Sequence, residues 1–281
     1  MCALLEVSRS SFYDWQQGKT HLFKAEKSRI EQQVKVVFDE HKRRYGSRRI
    51  EAELKGMGLD AGRYQIRRRM KEQGLKAIQP RSFVPKTTQT NPNLLRSPNL
   101  LLEMDKVTEV DKVWVGDITY LLMADGSWTY LATWMDLFSR LIVGWKIRES
   151  LEASIALDSL RKAIMRRQPK PGLMIHTDGG GQYMDIDFRQ MLADHKFLQS
   201  MTRVENHYDN AFAESVFSRF KAELVQGVPF ENLNHARSKI FEYIEVYYNR
   251  KRRHSALGYE SPENFEKMKQ PKTFENQPIL S

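Results

Sequence analysis

The sequence predicts a mixed α/β fold with a central sheet, preceded by an all-α region that is strongly basic. After residue 112, β-branched and aromatic runs alternate with helical patterns in the order βββαβαβα. Before residue 77 helical periodicity prevails, and the stretch between is polar and rich in proline. We therefore expect a helical region at 1–76, a linker at 77–112, an α/β core with C-terminal helices at 113–268 and a tail at 269–281.

Composition indicates a folded protein of the cytoplasm. Of the 281 residues, 41% are hydrophobic and 11% aromatic, which is typical of a chain that builds a core. The single cysteine, Cys2, excludes a disulfide framework or a cysteine-based zinc site within the chain and fits a reducing compartment. Because no apolar run is long enough to cross a bilayer, and the start of the chain does not resemble a signal peptide, we expect no membrane partner.

Positive charge is concentrated in the first third of the chain. Residues 1–100 hold 21 Lys and Arg against 10 Asp and Glu, whereas residues 101–281 hold 24 against 25. Such an excess favours a polyanionic partner, most simply nucleic acid, although a solvated helix face is the alternative. The candidate DNA contacts in this region are Arg48, Arg49, Arg67, Arg68, Arg69 and Lys71.

Helix signals follow one another along this basic region. Ser8 is a predicted N-cap for a short aromatic helix, and the Val-Ser turn that contains it is typical of the second helix of a helix-turn-helix. Few residues precede that turn, so we expect the first helix of the motif to be incomplete. A longer helix at about 23–42 is followed by two short helices, the first capped by Ser47 and ended by Gly58.

Strand signals dominate after the linker. The run VWVGDITYLLM (Val113–Met123), a tight turn and two further β-branched and aromatic runs predict three antiparallel strands. The later elements are a helix at about 152–168, a buried strand GLMIHTD, a helix at 185–195, a strand FLQSMT and a long helix at about 210–226. The predicted fold class is thus α/β with a central mixed sheet.

Three carboxylates have positions that suggest a shared site. Asp117 lies within the first predicted strand, Asp178 ends the fourth, and Glu214 is on the helix after the fifth. If the first and fourth strands are neighbours, both aspartates can project into one crevice, although an Asp at a strand end is more often a turn residue. Three close carboxylates need a counter-charge, which Mg²⁺ or Mn²⁺ supplies. The glycines that follow Asp178 would then allow a bulky substrate to approach.

Other polar residues are weaker candidates. Lys221 lies seven residues beyond Glu214, on the same helix face, where it could hold a phosphate beside the metal site. His176 could contact a phosphate or be a histidine satisfied beside the sheet. Arg252 and Arg253, in a basic segment near the end of the chain, fit a DNA contact but also a generic solvated terminus.

At these motifs the chain resembles the DDE transposases of the IS-three family of bacterial insertion sequences, specifically their second reading frame, which is related to retroviral integrases. The resemblance rests on VWVGDITYL with Asp117, IHTDGGGQY with Asp178, NHYDNAFAESVFSRFKAEL with Glu214 and Lys221, and the flanking YGSRRIEAEL and YYNRKRRHSALGYESPENFE. It covers nearly the whole chain. Glu205 and His207 depart from the family pattern, where Gly is more usual at the first position and Cys or a small residue at the second.

The resemblance implies a ribonuclease H-like fold that performs phosphoryl transfer on DNA with two metal ions. Asp117 would bridge the two ions, with Asp178 and Glu214 each helping to hold one. Its partners would be double-stranded DNA, at the element ends and the target, and further copies of the chain in a homo-oligomer. An upstream reading frame would supply a DNA-binding part by fusion, and the bacterial nucleoid would be the site of action.

Two other functions remain open at this level. A DNA-binding regulator without catalysis has no use for three convergent acids, so the carboxylates argue against it. A metal-dependent nuclease that cuts without joining is harder to exclude. A tyrosine recombinase would need a nucleophilic tyrosine within a cluster of Arg and His, and the acids explain more of this sequence.

Overall fold

The computed structural model describes residue 2 and residues 7–79, 96–104, 106–202, 211–225 and 229–269, without the side chains of 20–24 and 211–216. Glu205, His207, the Glu214 side chain and all but the first residue of the expected tail lie outside this description. The chain divides into two compact units, Met1–Ile78 and Gln79–Ser281. Among the described residues, no helix is long and apolar enough to cross a membrane.

The first unit is all-α, as predicted. Its helices are α1 (Arg9–Gln16), α2 (Lys19–Glu40), α3 (Ser47–Gly56) and α4 (Arg63–Glu72). The N-cap prediction for Ser8 is confirmed, because its side chain accepts a hydrogen bond from the Ser11 N–H at 3.1 Å. The prediction for Ser47 is wrong: Gly46 is the N-cap, and no side chain caps α3.

The core of this unit follows the predicted apolar stripe of α2. Ile30, Val34, Val37 and Phe38 are buried, together with Ile50 and Leu54 of α3 and Ile66 of α4. Gly58 has a φ of +75° just beyond α3, which fits its predicted role in ending that helix. The basic residues of α3 and α4 are thus carried on a small folded scaffold.

The second unit has the predicted order of elements. Its strands are β1 (Val113–Leu122), β2 (Trp128–Asp136), β3 (Ile142–Arg148), β4 (Met174–Thr177) and β5 (Leu198–Met201). Its helices are α5 (Ala153–Arg167), α6 (Gly181–Met184), α7 (Ile186–Asp194), α8 (Ala211–Val225), α9 (Leu233–Phe241) and α10 (Pro262–Lys269). A π-helical segment (Glu242–Tyr248) continues α9, and 3-10 turns span Leu100–Glu103 and Ser255–Leu257.

The five strands form one mixed sheet in the order β3-β2-β1-β4-β5. The first three strands are antiparallel, as predicted, while β4 lies parallel to β1 and β5 parallel to β4. One face packs on α5 and α7, where Trp114, Trp134 and Ile175 join Leu160 and Phe188 in the core. Because side chains alternate along a strand, Asp117 points to the opposite face from Trp114.

Part of the stretch that the sequence predicts as a linker is bonded to the sheet. Residues 96–104 lie against β5, where the Leu100 N–H donates to Ser200 Oγ at 3.0 Å and the Met201 N–H donates to the Pro98 carbonyl at 3.2 Å. Ser97 Oγ also donates to Gln199 Oε1 at 2.8 Å. Proline and polar composition predict a linker, and these long-range bonds attach this part of it to the edge of the sheet.

Candidate active site

Asp117 is held at the centre of the sheet by its neighbours on β1 and β2. The preceding residue, Gly116, lies opposite Trp134 in the antiparallel register. A Cβ at Gly116 would lie 2.3 Å from Cζ3 of Trp134, so the indole requires a residue without a side chain. Alternation then directs Asp117 away from the α5 face, and Thr119 Oγ1 donates to Asp117 Oδ2 at 3.2 Å.

Asp178 follows β4, the parallel neighbour of β1, so the condition for a shared crevice is met. Its Oδ1 accepts a hydrogen bond from the Gly180 N–H at 3.0 Å. Burial raises the pKa of the Asp178 carboxyl, and the facing Asp117 carboxylate raises this pKa further. The Gly180 N–H, Arg96 and Lys221 act in the opposite direction on the same pKa. The two aspartates are therefore electrostatically coupled in one site.

Lys221 reaches this site from α8. Its Nζ lies 3.0 Å from Asp117 Oδ2, with the lysine side chain 40% exposed and the aspartate side chain 28% exposed. The helix therefore packs with its Lys221 face toward the carboxylates. Glu214 lies seven residues earlier on α8, which places its backbone on the same side of the helix two turns away.

The donor set of this site fits a hard divalent cation. Asp117 and Asp178 offer carboxylate oxygens, and the Asp117 carboxylate disfavours ionisation of Asp178 unless a positive charge lies between or beside them. The Lys221 ammonium supplies such a charge at Asp117. Among the described residues, no group of three His, Cys, Asp or Glu side chains converges, and the side chain of Glu214 is outside that set.

The glycines after Asp178 differ in the space around them, and their expected role in substrate approach stays a prediction. At Gly179 the space of a side chain is taken by the Arg96 guanidinium, whose Nη2 would lie 2.1 Å from a Cβ. At Gly180 a Cβ would lie 3.0 Å from Asp178 Oδ1. Only around Gly181, of these three, does the structure leave a Cβ no neighbour within 4 Å. No sequence pattern pointed to Arg96, because it lies 83 positions before Gly179.

Arg252 has a structural position that contradicts the expected DNA contact. Its side chain is 2% exposed, and the fully buried carboxylate of Glu223 accepts from Nε at 2.6 Å and from Nη2 at 2.8 Å. Tyr243 donates a further hydrogen bond to Glu223 at 3.0 Å. Because Glu223 lies two residues beyond Lys221, this pair fixes the α8 helix that carries the site.

His176 is also buried rather than exposed to a substrate. It lies on β4 with no exposed surface, and its Nδ1 is 2.9 Å from Ser200 Oγ of the neighbouring β5. This burial contradicts the expected phosphate contact in this conformation, and the position of the ring beside the sheet fits the alternative of an internal histidine. Arg253 is half-buried and donates to the Tyr259 carbonyl at 3.1 Å.

The basic residues of the first unit separate into exposed and internal groups. Arg48, Arg67 and Lys71 are exposed, whereas Arg69 is buried and lies 2.7 Å from Glu72 and 3.9 Å from Glu31. This burial contradicts a DNA contact from Arg69. Arg49 is half-buried over the ring of Tyr45, and the exposed Arg68 pairs with Glu72 at 2.8 Å.

Comparison with known families agrees with this arrangement. Residues 107–207 match a family described as an integrase core domain, and residues 195–262 match a second family of the same description. Residues 25–83 match an HTH-like domain. The integrase matches cover β1 to β5, and the HTH-like match covers most of the first unit.

Individual relatives match almost the full chain. The transposase InsF for insertion sequence IS3A of Escherichia coli (strain K12) is 37% identical over 268 residues, covering 95% of this chain and 92% of that protein. The transposase for insertion sequence element IS904 of Lactococcus lactis is 38% identical over 242 residues, 86% of this chain and 95% of that protein.

A solved structure shares the fold. A chain of the simian T-cell lymphotropic virus intasome, determined by cryo-electron microscopy in complex with the PP2A regulatory subunit B56 gamma, has a TM-score of 0.50 and 16% identity. The match covers 82% of this chain and 76% of that chain.

Proposed function

Because the chain belongs to the IS-three family of insertion-sequence transposases, which act in transposition through an integrase core, we propose that it catalyses DNA strand cleavage and strand transfer at the Asp117 and Asp178 site. The reaction would be phosphoryl transfer without a covalent protein intermediate. Water would be the attacking group in cleavage, and a DNA 3′-hydroxyl would attack in joining.

The observation that carries the proposal is the approach of Asp117 and Asp178 at adjacent parallel strands, with Lys221 beside them. Together with Glu214, the two aspartates would hold two Mg²⁺ or Mn²⁺ ions. Such ions, when bound, activate an attacking oxygen and stabilise the leaving oxygen of an in-line displacement. In the protein itself, the Thr119 hydroxyl orients the Asp117 carboxylate and the Gly180 N–H orients the Asp178 carboxylate.

Lys221 would have two partners during the reaction. In the structure its ammonium lies on Asp117, where it offsets the charge of the acids. With the acids engaged as metal ligands, the same ammonium would be available to bind a phosphate of the DNA end. Its partial exposure supports this exchange, because a half-exposed lysine can change partners at little desolvation cost.

The first unit would supply non-specific DNA affinity. Arg48, Arg67 and Lys71 are exposed, and such side chains bind phosphates with a strong dependence on salt. We infer that the DNA partners are the element ends and the target. Bridging two ends would require a homo-oligomer, and sequence-specific recognition would require fusion to the product of an upstream frame. A DNA substrate would place this activity in the bacterial cytoplasm, with the nucleoid.

The test is a cleavage and joining assay with a duplex that carries the terminal repeat of the encoding element. We expect Mg²⁺-dependent activity from the protein fused to its upstream frame. Asp117→Asn, Asp178→Asn and Glu214→Gln should each lower cleavage and joining by roughly a hundredfold or more, because each removes a metal ligand. DNA binding should remain roughly intact. The matched control is Asp187→Asn, an exposed acid on α7, which should keep both activities.

Each alternative function has its own outcome in this assay. Cleavage without any joined product would favour a metal-dependent nuclease. Binding without cleavage in Mg²⁺ or Mn²⁺ would favour a DNA-binding regulator. If one of the three acid variants joined DNA at a near-normal rate, the substituted residue would not belong to the catalytic site.

A further inference from the structure

Arg96 places a guanidinium on the loop that follows Asp178. Its Nη2 donates to the Gly179 carbonyl at 3.4 Å. A Cβ built on Gly179 would lie 2.1 Å from Nη2, 2.2 Å from Cζ and 2.6 Å from Nη1. The guanidinium therefore occupies the volume that any side chain at position 179 would need. Gly179 is not among the glycines with positive φ, so its backbone would accept an alanine.

The position of Arg96 is built by the fold. The next residue, Ser97, bonds the Gln199 side chain of β5 at 2.8 Å, and Gln199 in turn donates to the Tyr183 carbonyl at 2.6 Å. Tyr183 is buried in the core. These bonds, with those of Pro98 and Leu100 to β5, attach the segment to the edge of the sheet. Arg96 is therefore delivered to Asp178 by contacts that do not depend on a substrate.

Two cations thus flank the two aspartates from different parts of the chain. Lys221 comes from α8 and lies at Asp117, while Arg96 comes from the segment before β1 and lies at the loop after Asp178. A phosphodiester that enters this site is repelled by the carboxylates, so each added cation favours its binding. A guanidinium presents a planar fork that matches two phosphate oxygens, which an ammonium cannot do.

We infer that Arg96 binds a phosphate of the DNA strand held at the Asp117 and Asp178 site, and that Gly179 is required because it leaves room for this guanidinium. The inference rests on the proposed function for its ligand, a DNA phosphodiester. The alternative is a structural role, in which Arg96 only holds its segment against the loop after Asp178. The two roles differ in salt dependence.

The test measures DNA affinity as a function of salt for Arg96→Ala, Gly179→Ala and the double variant. The probe is a labelled duplex with the terminal repeat, bound to the fusion protein with Ca²⁺ in place of Mg²⁺ so that binding is measured apart from the reaction. Arg96→Ala should weaken binding about 10- to 100-fold and reduce the slope of log K against log salt by about 0.9, the value for one phosphate contact. The control Arg161→Ala removes an exposed arginine of α5 and should leave affinity and slope unchanged.

Gly179→Ala gives an independent arm of the test. Its Cβ displaces the guanidinium, so it should reproduce most of the loss seen in Arg96→Ala although the charge is still present. In the Arg96→Ala background the added methyl group has room, and the double variant should bind no more weakly than Arg96→Ala alone. Additive losses in the double variant, or an unchanged salt slope in Arg96→Ala, would overturn the inference.

A second pair of variants distinguishes the loss of the positive charge from a loss of folding. Arg96→Lys and Arg96→Met both keep a long aliphatic stem, but only the lysine keeps the charge. The lysine variant should retain the salt slope, whereas the methionine variant should lose about 0.9 of it. Equal slopes in these two variants would identify a structural strap. These binding data do not depend on cleavage, so an inactive wild-type protein would refute the proposed function without deciding the role of Arg96.

Discussion

The buried pair of Glu223 and Arg252 gives the sharpest test of how α8 is fixed. Arg252→Met removes the guanidinium and leaves the Glu223 carboxylate, which is 0% exposed, without its opposite charge, while the Tyr243 hydroxyl still donates to it. Removing one partner of a buried ion pair costs about 3 to 5 kcal/mol of unfolding free energy. A typical domain has only about 5 to 15 kcal/mol in total, so this variant should be strongly destabilised.

The assay is urea unfolding followed by tryptophan fluorescence. Four of the five tryptophans, all except Trp15, lie in the second unit, so the signal follows the unit that contains the pair. The control is Arg250→Met, which breaks an exposed pair with Glu263 at 3.4 Å and should cost less than about 1 kcal/mol.

A double variant distinguishes the loss of the ion pair from the cost of leaving one buried charge unpaired. Glu223→Leu with Arg252→Met replaces both charges by apolar groups, so it should cost far less than the sum of the single variants. The reasoning would be refuted if Arg252→Met cost less than about 1 kcal/mol, or if the two single losses were additive. If Arg252→Met instead lost DNA affinity while its unfolding free energy stayed unchanged, the DNA contact first expected for Arg252 would be supported.

Three further predictions concern the site and its surroundings. Lys221→Ala should weaken engagement of a DNA end by about 1.5 to 3 kcal/mol, roughly 10- to 150-fold, in a binding titration; a loss confined to folding stability would make it a structural residue. Gly116→Ala should lower unfolding free energy by about 1 to 3 kcal/mol because its Cβ would overlap Trp134, whereas Gly181→Ala should not; equal effects would contradict the packing argument. The chain without its upstream fusion should bind DNA duplexes with strong salt dependence and weak sequence preference. If it bound the terminal repeat more tightly than a scrambled duplex by about 4 kcal/mol or more, no fusion would be needed for specific recognition.

The order of elements was accessible to sequence reasoning because local signals specify it. The predicted helix at 152–168 is α5 at Ala153–Arg167, and the predicted helix at 210–226 is α8 at Ala211–Val225. Alternation and β-branched residues identified β1 in the same way. Caps were less predictable: Ser8 caps α1, but Gly46 rather than Ser47 caps α3, because capping depends on backbone angles that several nearby residues can adopt.

The sequence by itself determined the order of the helices and strands and pointed to Asp117 and Asp178 as candidate site residues. Both rest on local patterns, namely strand alternation and the motifs around the two aspartates. Only the tertiary structure decided which charges meet. Arg252 reaches Glu223 across 29 positions, and Arg96 reaches Gly179 across 83. An arginine in a basic segment looks the same in sequence whether it faces solvent or a buried carboxylate. Whether such an arginine is buried, and which carboxylate it pairs with, depends on how distant segments of the chain pack together.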